Sequence, residues 1–276
     1  MRSTAVETPR LHLPLIVIKL GGAALTDKKR IYTAKMSAID SAAKQVAAIY
    51  RRNSLFIVHG AGSYGHLPVI RFGLSKGFQS ARQLNSLAKA KRRLLEWEFL
   101  LDRALLQYAV PVLPFLPSDY VLARKGRIVS CNTKPITAWM KLGCVPSTGG
   151  DIVPDLSMGF SILSGDQLAV HIARALRASM LIFATDVDGI YDSDPKQNQK
   201  AQLIRKLRLT KIGKVSAGLG ADQGDVTRGM KGKLEEAKKA VLDGIPVFFV
   251  NLHKGKRLQE VALGHRSVIC SEMVSG

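Results

Sequence analysis

The chain has 276 residues, 46% of them hydrophobic and 22% charged, which excludes a disordered or collagen-like polymer and leaves material for a large buried core. Lys and Arg number 41 against 21 Asp and Glu, so the formal charge is +20, a field that attracts polyanions. The basic residues are spread from Lys28 to Arg266 and aromatics make up only 6%, which argues against specific nucleic-acid binding, where charge is concentrated and interleaved with stacking rings.

In chain order, short apolar runs alternate with longer helical patterns. Leu15–Leu20 predicts a strand buried on both faces, and Thr33–Arg52 a helix with Met36, Ile39, Ala43, Val46, Ala47 and Tyr50 near the 3.6 period. Leu55–His59 is the next strand. Gln83–Tyr108 predicts a long helix whose apolar stripe is Leu84, Leu87, Leu94, Leu95, Leu101 and Leu105. Val110–Leu113 is a short strand ended by Pro114, and Ser118–Ile128 a hairpin turning at Lys125-Gly126. A short helix at Pro135–Leu142 is stopped by Gly143, and Cys144–Ser147 follows as a strand. Asp151–Asp155 and Phe160–Leu163 flank a turn, Gly165–Ala178 is a helix, and Met180–Thr185 is a buried strand opening into a polar loop over 186–200. Asp225–Asp243 begins as loop and continues as helix, Gly244 stops it, and Val247–Val250 is a further strand.

This alternation predicts an α/β fold, a three-layer α-β-α sandwich around a central, mostly parallel sheet. One domain spans 1–276. A soft boundary near Arg174 to Met180 divides an N-terminal lobe, about 12–174, from a C-terminal lobe, about 175–276. The longest apolar runs, Leu15–Ile18 and Ile245–Val250, are strand-sized, far short of the roughly 20 residues of a membrane helix. The first eleven residues lack the apolar stretch of a secretory signal. Cys131, Cys144 and Cys270 are widely spaced with no C-x-x-C pair, a pattern that points to a reducing, cytoplasmic setting. The six histidines include no H-x-x-x-H spacing, and no metal site is expected on the chain itself.

Two strand ends open directly into glycine turns, Lys19-Leu20-Gly21-Gly22-Ala23 and His59-Gly60-Ala61-Gly62-Ser63-Tyr64-Gly65-His66. Glycines there let backbone N–H groups face a crevice at the carboxyl end of a sheet, where α/β folds bind phosphate. Neither turn is a P-loop. Gly60-x-Gly62-x-x-Gly65 lacks the acidic residue about 20 positions on that a dinucleotide site requires; Arg82 stands near there.

The chain resembles the amino acid kinase superfamily and, within it, the isopentenyl phosphate kinases. The resemblance rests on Ile18-Lys19-Leu20-Gly21-Gly22-Ala23 with Thr26-Asp27-Lys28, the second glycine turn ending in His66, and Gly73-Leu74-Ser75-Lys76-Gly77-Phe78. It continues through Gly150-Asp151 with Asp155, Leu163-Ser164-Gly165-Asp166, Thr185-Asp186-Val187-Asp188-Gly189-Ile190-Tyr191 with Asp194-Pro195, and Asp225-Val226-Thr227 with Gly229-Met230 and Lys233. It implies transfer of the ATP γ-phosphoryl group to a phosphate monoester, isopentenyl phosphate, in isoprenoid biosynthesis. The same loops would serve a kinase of another small phosphate or phosphonate, fosfomycin-kinase-like, or a silent nucleotide- or polyanion-binding protein.

By the same resemblance, Lys19, Lys28, His66 and Asp151 are the catalytic set. Lys19 and Lys28 are cations on the transferring group, His66 is a donor to the acceptor phosphate, and Asp151 is the organiser of the lysines. Ala61, Gly62, His66 and Gly150 would bind the acceptor. Lys19, Gly21, Gly22, Gly62, Asp186, Tyr191, Gly229 and Lys233 would bind ATP, with Mg2+ held mainly by phosphates and water. A homodimer is implied as well. Phe72, Phe78, Leu94, Trp97 and Ile136 are candidates for the acceptor's tail. Three departures stand out: Ala23 where serine is common, Arg228 for the first glycine of Thr-Gly-Gly-Met, and Asn251-Leu252-His253 without the usual glycine.

Overall fold

The computed structural model describes residues 12–27, 29–218, 229–265 and 267–276, without the side chains of His66 and Leu67. The chain opens with β1 (Leu15–Leu20), the short α1 (Gly22–Leu25), α2 (Met36–Tyr50), β2 (Ser54–His59), α3 (Gly62–Arg71) and the 24-residue α4 (Leu84–Gln107). Next come β3 (Val112–Pro114), α5 (Pro117–Tyr120), β4 (Val121–Arg124), β5 (Arg127–Cys131), α6 (Lys134–Lys141), β6 (Val145–Gly149), β7 (Asp151–Asp155) and β8 (Gly159–Leu163). The rest comprises α7 (Gly165–Ala175), β9 (Met180–Thr185), β10 (Ile190–Tyr191), β11 (Leu203–Ile204), β12 (Lys206–Arg208), α8 (Ile212–Gly218), α9 (Gly229–Leu242), β13 (Val247–Asn251), α10 (Arg257–Ala262) and β14 (Cys270–Val274).

Eight strands form one sheet in the order β12-β14-β13-β9-β1-β2-β6-β3, with β1 parallel to both β2 and β9. Only the β13–β14 pairing in this sheet is antiparallel. Successive residues of the central strands face opposite layers, as the period-2 geometry of a strand requires. Ile16, Ile18 and Leu20 of β1 join Leu55 and Ile57 of β2 under α2, α4 and α10. Val17, Phe56 and Val58 face the other way, onto α6, α7, α8 and α9. Burial on both faces explains why these strands read as unbroken apolar runs rather than alternating ones. The three-layer sandwich expected from the sequence is the fold observed.

A second sheet, β5-β4-β7-β8, leaves the main one where β6 ends and β7 begins. Its hairpin turns where expected: Lys125 and Gly126 both have positive φ, 50° and 72°. The Asp155 carboxylate accepts from the Lys125, Gly126, Ser157 and Met158 amides, and although burial opposes its charge, these bonds hold its pKa down at about 2.

Several elements differ from the sequence reading. The second glycine turn is a loop only at Gly60-Ala61, because α3 starts at Gly62, whose φ is +50°. On α4, Leu84 and Leu95 are exposed, while Glu98 and Asp102 are buried. Strand β14 and helix α10 lie in a region assigned no element. The polar loop after β9 contains the two-residue strand β10.

Candidate active site

Strands β1, β2, β6 and β9 run parallel and adjacent, so the segments after them gather at one end of the sheet. That brings together Gly21-Gly22, Gly60 to Gly62, Gly149-Gly150 and Asp186. The first two segments touch backbone to backbone. A Cβ on Gly22 would lie 2.4 Å from the Gly62 nitrogen, and one on Gly60 would lie 2.7 Å from the Gly22 nitrogen. Neither position has room for a side chain. Thr26 stitches the two turns, its hydroxyl donating to the Gly22 carbonyl at 2.8 Å and accepting from the Ser63 amide at 3.0 Å.

Above this joint lies a buried charge cluster. The Lys19 ammonium sits 2.7 Å from Asp166 Oδ1, and that of Lys233 sits 3.1 Å from Asp166 Oδ2. Lys19 comes from the end of β1, Lys233 from the second turn of α9, and Asp166 from the first turn of α7. Ser164 caps α7, accepting from the Asp166 amide at 3.2 Å. Burial alone would raise the Asp166 pKa, but the two ammonium groups overcome it and hold the carboxyl down at about 2. Lys19 is 5% exposed, so it is not a strand-end lysine reaching for solvent. Its ammonium would lie only 3.4 Å from a Cβ on Gly60, placing it over the second glycine turn as well as the first.

Lys19 and Lys233 are thus paired with Asp166, while Asp151, expected to organise the lysines, is paired with Lys91. Asp151 is occupied elsewhere: both its carboxylate oxygens lie 2.6 Å from the Lys91 ammonium on α4, and they also accept from the Ser118 and Ile152 amides. The difference is positional. Asp151 opens β7 and faces α4, whereas Asp166 lies in the first turn of α7 and faces the end of β1.

The remaining candidates fall around this centre. Ala61 precedes α3, and the Gly150 amide donates to the His59 carbonyl at 3.0 Å. Asp186, after β9, pairs with Lys196, and Tyr191 lies in β10. Gly229 starts α9 with φ +52°. Asn251 links two loops, donating to Asp188 at 2.8 Å while its own oxygen accepts from the His253 amide. Arg257 also binds Asp188 at 2.8 Å. Lys28, Arg228 and the Asp225-Val226-Thr227 motif lie outside the described residues, as does the side chain of His66; the His66 backbone is in α3.

Behind the Gly60 and Gly149 turns lies a polar network in which the sequence reading gave a role to Trp97 alone, as a candidate for the acceptor's tail. The Trp97 indole N–H, fully buried, donates both to His59 Nδ1 and to the Gly60 carbonyl, each at 3.0 Å. His59 Nε2 is 3.2 Å from Glu98 Oε2. Burial opposes a charge on His59, but the Glu98 and Asp102 carboxylates and the Gly60 carbonyl outweigh it and raise the imidazole's pKa. A Cβ on Gly149 would strike this ring at 2.2 Å. Burial, with the charge of Glu98 next, pushes the Asp102 pKa up to about 7. The signal for the network was two carboxylates, Glu98 and Asp102, at i, i+4 spacing within an otherwise apolar helix face.

A narrow cleft opens beside this network, between α4 and the segment around Leu116-Pro117, with Gly149, Gly150 and Asp151 at one side. Of the five apolar candidates, Leu94 lines the cleft and packs with Phe72 against one small cluster, Trp97 and Ile136 are fully buried, and Phe78 is exposed. Among the described residues no group of three or more His, Cys, Asp or Glu side chains forms a metal site, and no helix is long and apolar enough to cross a membrane.

Glycine turns at the carboxyl ends of parallel strands, with two lysines converging over them, define a site for bringing two anions together. The chain belongs to the amino acid kinase family, whose family model matches residues 14–251. It is 30% identical over 261 residues to isopentenyl phosphate kinase of Methanothermobacter thermautotrophicus, covering 91% of this chain and 96% of that one. It is 28% identical over 250 residues to the isopentenyl phosphate kinase of Thermoplasma acidophilum, covering 90% and 96%. A solved isopentenyl phosphate kinase structure superposes with a TM-score of 0.81 at 26% identity, over 94% of this chain and 100% of the other. Within the family, the chain belongs with the isopentenyl phosphate kinases.

Proposed function

We propose that this chain transfers the γ-phosphoryl group of ATP to isopentenyl phosphate, giving isopentenyl diphosphate and ADP. The observation that carries the reading is the convergence of Lys19 and Lys233 on buried Asp166, directly over two interlocked glycine turns. An oxygen of the acceptor phosphate attacks the γ-phosphorus, the bond to the β–γ bridging oxygen breaks, and ADP leaves with that electron pair. The attacking oxygen is already anionic, so no general base is needed. What the protein must supply is positioning and positive charge on the transferring group.

In this reading Lys19 contacts the transferring phosphoryl, with the Gly21 and Gly22 amides beside it, and Lys233 reaches the ATP phosphates. Asp166 keeps both ammonium groups in place and balances them before substrates arrive. Lys28 is the second cation on the transition state. His66 donates to the acceptor phosphate, aided by amides at Ala61, Gly62 and Gly150, while Asp151 fixes the cleft wall through Lys91. Asp186 and Tyr191 border the nucleotide, so 12–174 serves as acceptor lobe and 175–276 as nucleotide lobe. The residues fit a Mg2+ ion that stays on phosphates and water, since the central carboxylate is already engaged by lysines; such an ion shields phosphate charge. Phe99 and Leu106, exposed on α4, suit the face of a homodimer. The three free cysteines fit the cytoplasm.

The test is ADP release with Mg-ATP across isopentenyl, dimethylallyl and geranyl phosphates and fosfomycin, alongside His66→Ala. Turnover should be fastest on isopentenyl phosphate and should fall in the variant. Preference for fosfomycin, or ATP binding without turnover on any acceptor, would overturn the assignment.

A further inference from the structure

The cleft beside the acceptor-side glycines is not a purely hydrocarbon pocket. Leu94, Leu95 and Leu116 supply apolar surface, but Glu98 lines it too, and Glu98 is 5% exposed. One of its carboxylate oxygens, Oε2, faces His59 at 3.2 Å; the other, Oε1, is buried and has no hydrogen-bond partner among the described residues. The surrounding ionisable groups do not fill that vacancy. His59 meets the carboxylate at Oε2, not at Oε1. Lys91, two turns earlier on α4, is held by Asp151 and Ser118. Asp102, one turn later, makes no hydrogen bond to Glu98. A buried carboxylate oxygen left unpaired is costly, and it is well suited to a donor brought by a ligand.

Resting on the reading of this cleft as the acceptor site, we propose that the enzyme also phosphorylates small phosphate monoesters whose tail carries a hydroxyl, and that Glu98 is the specificity residue accepting that hydroxyl. The phosphate end of such an ester lies at the Gly60 to Gly62 turn and Gly149-Gly150. The tail then runs along α4, where leucines cover its carbon skeleton and the Glu98 carboxylate takes the O–H. The transferred group and the bonds made and broken are those of the reaction above; only the tail changes. An all-apolar pocket would disfavour the hydroxyl, because burying it without a partner is penalised. A pocket that supplies a charged acceptor favours it, and such pairing discriminates by roughly tenfold to a hundredfold.

The experiment compares isopentenyl phosphate with 3-hydroxy-3-methylbutyl phosphate, which has the same carbon skeleton with a hydroxyl, in the full chain and in Glu98→Leu and Glu98→Gln. In the unmodified enzyme kcat/KM for the hydroxylated ester should lie within tenfold of that for isopentenyl phosphate. Glu98→Leu should lower the hydroxylated-to-isopentenyl ratio at least tenfold, and Glu98→Gln, which keeps an acceptor oxygen, should retain most of it. A hydroxylated ester at least tenfold poorer in the unmodified enzyme overturns the proposal without any variant, so a Glu98 variant that fails to fold does not rescue it. Equal loss on both esters in Glu98→Leu also overturns it, while leaving the isopentenyl phosphate assignment standing. Turnover of neither ester removes both.

Discussion

Replacing Asp166 by Asn tests the centre of the site with almost no change of shape. The carboxylate lies between two ammonium groups, 2.7 Å from Lys19 and 3.1 Å from Lys233. An amide offers one acceptor and turns an N–H₂ donor toward the other lysine. The carboxyl is held at about 2 against an ordinary 3.8. At about 1.4 kcal/mol per tenfold, that difference contributes roughly 2–3 kcal/mol of stability at neutral pH. The native pKa is depressed, so the contribution is complete above about pH 4 and is lost as pH falls toward 2. Removing one partner from a buried ionic group costs roughly 3–5 kcal/mol, which agrees in size. Asp166→Asn should therefore lower the stability of the free enzyme by about 3 kcal/mol, or Tm by about 6–12 °C. Mg-ATP should narrow the gap, because its phosphates supply the missing negative charge. Turnover should fall roughly a hundredfold or more as the lysines lose their common anchor. Urea titration and thermal melts with and without Mg-ATP, together with steady-state ADP release, measure each part. A variant with unchanged melting and turnover would show that the lysines are organised by something other than Asp166, and the reasoning would fall.

Trp97→Phe keeps the buried ring and its stacking with Tyr64 but removes the N–H that holds both His59 and the Gly60 carbonyl. It should raise KM for the acceptor about tenfold and leave KM for ATP within about twofold; equal effects on both substrates would contradict a role confined to the second glycine turn. Asp102 titrates in the opposite sense to Asp166. With its pKa pushed up to about 7, the native state favours the protonated acid, so this group's contribution is complete below about pH 4 and is lost as pH rises toward 7. Asp102→Asn should accordingly be about 2–4 kcal/mol more stable than the unmodified chain at pH 8 and nearly equal at pH 4, as read from urea midpoints; a gap that does not change with pH would refute it.

Strands β1 and β9 were legible residue for residue, because strands buried on both faces show as uninterrupted apolar runs. The Lys125-Gly126 turn was legible because a two-residue hairpin needs two positive-φ positions. Strand β14 was not, since its buried positions include Ser271, which is kept for its hydroxyl: Ser271 accepts from the Ile190 amide at 2.7 Å. The glycine run after β2 did not announce a helix, because glycine is a poor helix former and the start of α3 depends on Thr26, 37 residues away from Ser63, capping its amide. The two Gly-Asp pairs, Gly150-Asp151 and Gly165-Asp166, look alike in sequence. Which of them meets the lysines is decided by one opening a strand and the other a helix. On α4, burial of Glu98 and Asp102 goes with His59 of β2 and Ser147 of β6 beside them, which periodicity along one helix does not carry.

The contact between Gly22 and Gly60 to Gly62 is made by peptide groups, with the Thr26 hydroxyl bridging the two turns beside it. The spacing there is consequently set by the main chain and by Thr26. The α4 wall is built differently: Lys91, Leu94, Leu95 and Glu98 line the cleft with side chains rather than peptide groups. Mutation can therefore explore new tails along one helix while the distance over which a phosphoryl group must travel is inherited unchanged.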